Sequence, residues 1–276
     1  MTTISLAALG GVLAVSLLSM LVYAASGRRR DADQDGTGAR FFMGLGDFLL
    51  HWFMWAIAPS VRLSLALGLT PDFYNYAGLA LGLAAGVLIA FGRLEAAGWA
   101  VALCGVADIL DGRIARALGT ASKYGDFIDS TFDRFVEIFL FLGFAWFLRA
   151  TAAGPLLAAA AMAGSLVVSY VRARGEVLGV LCTGGLMQRG ERLVLICLVC
   201  LAEPPLVAYR GWAAGMLTLW MLGFLAVTTA LTAVHRTFWI AARLKPADTP
   251  ARISAGSPTT PEPAPGLSPP PPFRSH

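Results

Sequence analysis

Residues 108–133 read DILDGRIARALGTASKYGDFIDSTFD, and they set Asp108, Asp111, Asp129 and Asp133 inside or at the rim of segments otherwise apolar enough to cross a bilayer. A single Asp at the centre of a membrane helix costs roughly 2.5–3.5 kcal/mol on translocon scales. Four of them require a polar cavity, a bound cation, or both. Asp108 and Asp111 are three residues apart and Asp129 and Asp133 four, so each pair lies on one face of its own helix, and two helices present two carboxylates each. Hard oxygen donors with no His or Cys beside them suit Mg²⁺ or Mn²⁺ rather than zinc, and four carboxylates are enough for two such ions.

The residues between the acids fit an anionic ligand. Gly112 and Gly125 remove side chains where a diphosphate would approach the backbone closely, and Arg116 offers a planar fork to phosphate oxygens. Asp126 also falls on the face of Asp129 and Asp133, but an acid in the first turn of a helix has a simpler explanation in the helix dipole.

Working outward, the 276 residues are 57% hydrophobic and 14% charged, against about a quarter charged in a soluble domain, so the chain is an integral membrane protein. Its net charge of +4 comes from Lys and Arg placed mainly between apolar segments. That placement speaks for membrane topology and anionic phosphates, and no interleaving of basic and aromatic residues suggests a nucleic-acid partner. Cys104, Cys182, Cys197 and Cys200 fall in or beside apolar segments, and the C-x2-C at Cys197 lacks a second pair to complete a zinc site. His51, His235 and His276 are scattered.

The first segment, Ile4 to Ala25, is long enough to span and is followed by Arg28, Arg29 and Arg30, which predicts an uncleaved anchor with a cytoplasmic C-terminal end. Residues 1–39 form this anchor and its linker. Residues 40–69 mix Phe41, Phe42, Phe48, Trp52, Phe53 and Trp55 with Asp47, His51 and Arg62, which predicts a helix in the cytoplasmic interface, broken near Pro59, the alternative being a buried spanning helix. Thr70-Pro71-Asp72 reads as a helix start. Five or six spanning helices follow, over about 72–92, 96–117, 123–148, 155–174, 188–207 and 212–240, so that 40–245 is one membrane domain. With connections alternating sides, only Arg93, Arg149 and Arg210 of the 21 Lys and Arg fall outside, which puts the four Asp, Arg116 and Lys123 near the cytoplasmic face. Residues 246–276 hold ten of the 15 prolines and are predicted to be a disordered tail. The fold class is therefore all-α: a polytopic membrane helix bundle with a six-helix core, an extra N-terminal anchor helix and an interfacial helix.

A second basic cluster stands at the cytoplasmic ends of two successive helices. Arg172, Arg174, Arg189 and Arg192, with Lys123, are predicted to form a pocket for a second, phosphorylated substrate beside the metal site. The competing explanation is an ordinary collar of positive charge at the cytoplasmic side, with Glu176 and Glu191 as partners.

Residues Asp108, Asp111, Gly112, Ala115, Arg116, Gly125, Asp129 and Asp133 stand as D-x2-D-G-x2-A-R-x8-G-x3-D-x3-D, which resembles the signature of the CDP-alcohol phosphotransferases at every position. Eight specified residues coincide by chance with a frequency on the order of 10⁻¹⁰ per start position. The resemblance covers about residues 65–240, with Asp72 standing where many members carry Asn. It implies a membrane enzyme that moves a phosphatidyl-type group from a CDP-linked lipid to a small alcohol and releases CMP. It further implies Asp108, Asp111 and Asp129 as ligands of two metal ions, with Asp133 touching one of them and acting as general base. Asp108, Asp111, Gly112, Ala115, Arg116 and Gly125 would line the CDP site. A homodimer in a prokaryotic inner membrane, with the active site on the cytoplasmic side, is what such a relationship would bring. The run from Ser169 to Gly179, S-Y-x-R-A-R-x-E-x-L-G, followed by G-x3-R-x-E-R from Gly185, resembles the prokaryotic branch that attaches inositol phosphate to CDP-diacylglycerol or to its archaeal ether-lipid counterpart. Glycerol phosphate, inositol and serine are the other acceptors of this reaction type. From another class, a divalent-cation transporter would account for the four Asp, but it gives no reason for Gly112, Gly125 and an arginine beside the ion path.

Overall fold

A computed structural model of the chain describes residues 2–25, 45–182, 184–185 and 187–245. Arg28 to Arg30, the linker as far as residue 44, and the Pro-rich tail lie outside the described residues. The described chain forms eight helices: α1 (Thr2–Ala25), α2 (Leu45–Ala66), α3 (Pro71–Ala90), α4 (Leu94–Leu118), α5 (Lys123–Phe147), α6 (Gly154–Val177), α7 (Arg189–Arg210) and α8 (Met216–Leu244).

Local chemistry sets the helix ends nearest the acidic motif. Thr70 caps α3, its Oγ1 accepting from the Phe73 amide at 3.3 Å with Pro71 in the first turn. Gly119 ends α4 in the left-handed conformation, φ 65°, which a side chain would strain. Ser122 then caps α5 by accepting from Gly125 N at 3.2 Å. α7 starts with a capping box in which Glu191 accepts from Gln188 N at 2.8 Å, so Glu191 serves its own helix rather than an arginine. α8 begins at Met216, later than the predicted 212, because the Glu203 carboxylate on α7 accepts from Gly215 N, Thr218 N and Thr218 Oγ1 and so fixes where the helix starts.

One expectation is corrected. α2 runs without a break through Pro59. The helix accommodates both the lost N–H bond and the ring's crowding of the carbonyl one turn earlier, and the following turn continues, with Ser64 Oγ donating to Ser60 O at 2.7 Å.

Helices α3 to α8 close a ring by pairwise packing in the order α3, α4, α7, α8, α6, α5 and back to α3. α2 lies outside it against α4, and α1 packs on α2 and α7. Trp52 Nε1 of α2 donates to Ser19 Oγ of α1 at 2.9 Å. A second small apolar cluster, Ile57, Leu110 and Ile114 with Phe53, Val61, Leu65 and Tyr74 against it, seats α2 beside the acidic end of α4. α3, α6, α7 and α8 are long and apolar enough to cross a bilayer, and the outer surface exposes Leu83, Val87, Leu142, Leu156, Phe224 and Val227, as a lipid-facing surface does. α4 and α5 are equally long but interrupted by charge, and that charge is the site.

Without a hydrophobic force between helices in lipid, close packing needs small residues at the crossings. α3 meets α5 where Gly86 faces Phe139 and Gly143. A Cβ on Gly86 would lie 2.8 Å from the Phe139 carbonyl carbon and 3.1 Å from its Cβ. Gly86→Val is expected to push the two helices apart and cost about 1–3 kcal/mol, seen as a lowered thermal midpoint of the detergent-purified protein.

Candidate active site

Successive helices run in opposite directions along the sequence, so the C-terminal end of α4, the N-terminal ends of α3, α5 and α7 and the C-terminal ends of α6 and α8 meet at one end of the bundle, with α3 and α5, and α6 and α8, as parallel neighbours in the ring. All four motif acids are delivered there. Asp108, Asp129 and Asp133 each offer a carboxylate oxygen, and the three oxygens lie within 4.8 Å of one another. Asp111 is buried on the same side of α4, with Oδ1 accepting from Gly112 N. The four acids share a cleft with Tyr74, Asn75 and Gly78 of α3, Cys104 of α4, Phe132 and Val136 of α5, and Arg189 of α7. Asp126 does not line it, in keeping with a helix N-terminal role. The donor set fits a hard divalent cation: three converging carboxylates, no histidine, and a lone thiol, Cys104, whose Sγ donates to Gly78 O at 3.3 Å.

Arg189 is where the structure departs most from the predicted grouping. Expected in an acceptor pocket, it projects into the acidic centre, with Nη1 2.8 Å from Asp108 Oδ1 and Nη2 2.5 Å from Asp133 Oδ1. One planar guanidinium thus spans the carboxylates of two helices. Arg134 adds a weaker contact, Nη1 to Asp133 Oδ2 at 3.3 Å. Arg192, one turn further along α7, is 2% exposed and pairs through Nε and Nη2 with Glu137 Oε1, while its Nη1 donates to Met187 O at 3.4 Å. Every outward donor of Arg192 is directed into the protein. The remaining members of the predicted group, Lys123, Arg172 and Arg174, are exposed at the same end of the bundle, and Arg172 pairs with Glu176 of its own helix at 2.8 Å.

The fold makes no demand for glycine at the two motif positions. A Cβ at Gly112 would meet only the mobile end of Arg116, at 3.4 Å, and one at Gly125 only Ser122 Oγ, at 3.6 Å. Arg116 is exposed at the C-terminal end of α4, one turn beyond Gly112, with Ala115 half-buried before it. Arg113 donates to Met54 O at 2.9 Å and so ties α4 to α2.

Two residues escaped the sequence reading. Glu137 carries a signal: it extends the Asp129, Asp133 spacing by another four residues and therefore shares their face. Asn75 carries a subtler one, as the only polar residue in the buried stripe Asn75, Gly78, Gly82, Ala85, Gly86 and Ile89 of α3.

A ring of membrane helices that gathers four carboxylates and one arginine fork into one polar cleft defines a membrane-embedded enzyme acting on a phosphorylated substrate. The chain belongs to the CDP-alcohol phosphatidyltransferase family, whose sequence profile matches residues 68–228. It is 32% identical over 182 residues to phosphatidylinositol phosphate synthase of Mycolicibacterium smegmatis, an alignment covering 64% of this chain and 81% of that protein. Its fold is similar to crystal structures of Mycobacterium tuberculosis phosphatidylinositol phosphate synthase. The structure in complex with manganese and citrate matches with a TM-score of 0.59 and 26% identity, over 72% of this chain and 92% of that one. The structure with CDP-DAG bound matches with a TM-score of 0.57 and 27% identity, over 72% and 97%. Membership of this family answers the alternative of a cation transporter: the acidic face belongs to a phosphatidyltransferase.

Proposed function

We propose that the protein transfers a phosphatidyl group from a CDP-linked diacylglycerol to a phosphorylated polyol, inositol phosphate, and releases CMP. The observation that carries this is the meeting of Asp108, Asp129 and Asp133 at one end of a bundle whose relatives are named for that product. Asp108, Asp111, Asp129 and Asp133 would hold two Mg²⁺ or Mn²⁺ ions, and the manganese complex of the similar mycobacterial enzyme supports that choice. Held there, such ions would neutralise the diphosphate and stabilise the phosphate that leaves as CMP. Asp133 takes the proton of the acceptor hydroxyl as its oxygen bonds to the lipid-side phosphorus and the bond from that phosphorus to CMP breaks. Arg189 holds Asp133 and Asp108 in register from α7. Gly112, Ala115, Arg116 and Gly125 line the CDP, the two glycines because the ligand, rather than the fold, needs the room.

Lys123, Arg172 and Arg174, exposed at the same end, receive the acceptor's phosphate. The positive-inside bias supports a cytoplasmic setting for this end, and the family a prokaryotic inner membrane, so that inositol phosphate would arrive and CMP depart on that side. A homodimer is the assembly we infer from the family.

The test is CMP release by purified protein in lipid nanodiscs given CDP-diacylglycerol, Mg²⁺ or Mn²⁺, and in turn inositol phosphate, inositol, glycerol phosphate and serine. Turnover is expected with inositol phosphate and with either metal, and none after chelation. Equal turnover of inositol and inositol phosphate would overturn the acceptor assignment.

A further inference from the structure

Asn75 begins the stripe by which α3 packs into the ring, and every later member of that stripe is Gly, Ala or Ile. Packing alone therefore asks for a small apolar residue at this position. Asn75 is nevertheless 7% exposed and lines the cleft beside Asp108, Asp111, Asp129 and Asp133. Its amide makes no hydrogen bond to another group among the described residues. Two of its neighbours in the cleft wall are engaged: Tyr74 Oη with Ser64 Oγ at 2.6 Å, and both terminal nitrogens of Arg189 with Asp108 and Asp133. The residue is buried between helices but its amide opens onto the cleft, and of the two stripe residues that reach the cleft, Asn75 and Gly78, it is the one that brings a polar side chain there.

We propose that Asn75 is a substrate contact whose side-chain N–H donates to a non-bridging oxygen of the CDP diphosphate. This rests on the reading that the cleft holds a CDP-linked lipid. The residue type suits the place. A lysine there would compete with the metal ions for the four carboxylates, and a further carboxylate would repel the phosphates. A neutral amide donates to an anion without altering the charge of the acidic centre, and held in a helix it needs no reorganisation to do so.

Calorimetric titration of the detergent-purified protein with CDP in saturating Mg²⁺ tests this without requiring turnover. Asn75→Ala is expected to weaken CDP binding by about 10–100-fold, as loss of a hydrogen bond to a charged group does. Its thermal midpoint should equal or exceed that of the parent, because no protein group loses a partner. Asn75→Asp, similar in shape but anionic, should bind CDP more weakly than Asn75→Ala. In steady state the loss should fall on kcat/KM for CDP-diacylglycerol, with the acceptor KM within about twofold of the parent. Unchanged CDP affinity, or a midpoint that falls in step with activity, would overturn the proposal and leave Asn75 a packing residue. A parent that binds CDP but does not use inositol phosphate would overturn the acceptor reading alone, and a parent that binds no CDP would overturn both.

Discussion

Asp133→Asn is expected to lower transfer by about 10²–10⁴-fold, the range that general acid–base catalysis contributes, while leaving a folded protein that still binds CDP. The substitution keeps the shape of the side chain, and its amide oxygen can still accept from Arg189 Nη2, which lies 2.5 Å from Asp133 Oδ1 in the parent. What it removes is the ability to take a proton from the acceptor hydroxyl. CMP release measured with saturating CDP-diacylglycerol, alongside CDP titration by calorimetry, separates the two properties. Activity within about tenfold of the parent would take Asp133 out of the base role.

The second large effect concerns stability. Glu137 is 3% exposed and Arg192 2% exposed, and each is the other's ionic partner across α5 and α7. Glu137→Ala strands a guanidinium in the bundle and should cost about 3–5 kcal/mol, visible as a lower thermal midpoint in detergent. Replacing both residues by Met is expected to recover most of that loss, because two apolar side chains of similar volume leave no buried charge. The double variant should still turn over poorly. Arg192 also donates to Met187 O, and with that bond gone the start of α7, which carries Arg189 to the carboxylates, is less firmly placed. Arg192→Ala should likewise show first as loss of folded protein. Parent-like stability with only a raised acceptor KM would return Arg192 to the acceptor pocket.

The acidic motif and the architecture around it were legible in the chain because both rest on local rules. Helix spacing alone puts Asp108 with Asp111 and Asp129 with Asp133, and the length of each apolar run predicts the core helices within about three residues of those observed, α8 apart, which is shifted by four residues at both ends. The eight motif residues then identified the family from sequence. Tertiary structure decided the fates of the arginines. Arg189 and Arg192 are three residues apart, similar in composition and surroundings, and nothing in their spacing says that one bridges Asp108 and Asp133 while the other is buried against Glu137. A long flexible cation finds its partner through the packing of another helix, and α7 meets the acidic end only once the ring is closed. Asn75 was hidden for the same reason: one polar residue at the head of a small-residue stripe looks like a tolerated exception until α4 and α5 bring four carboxylates to its side.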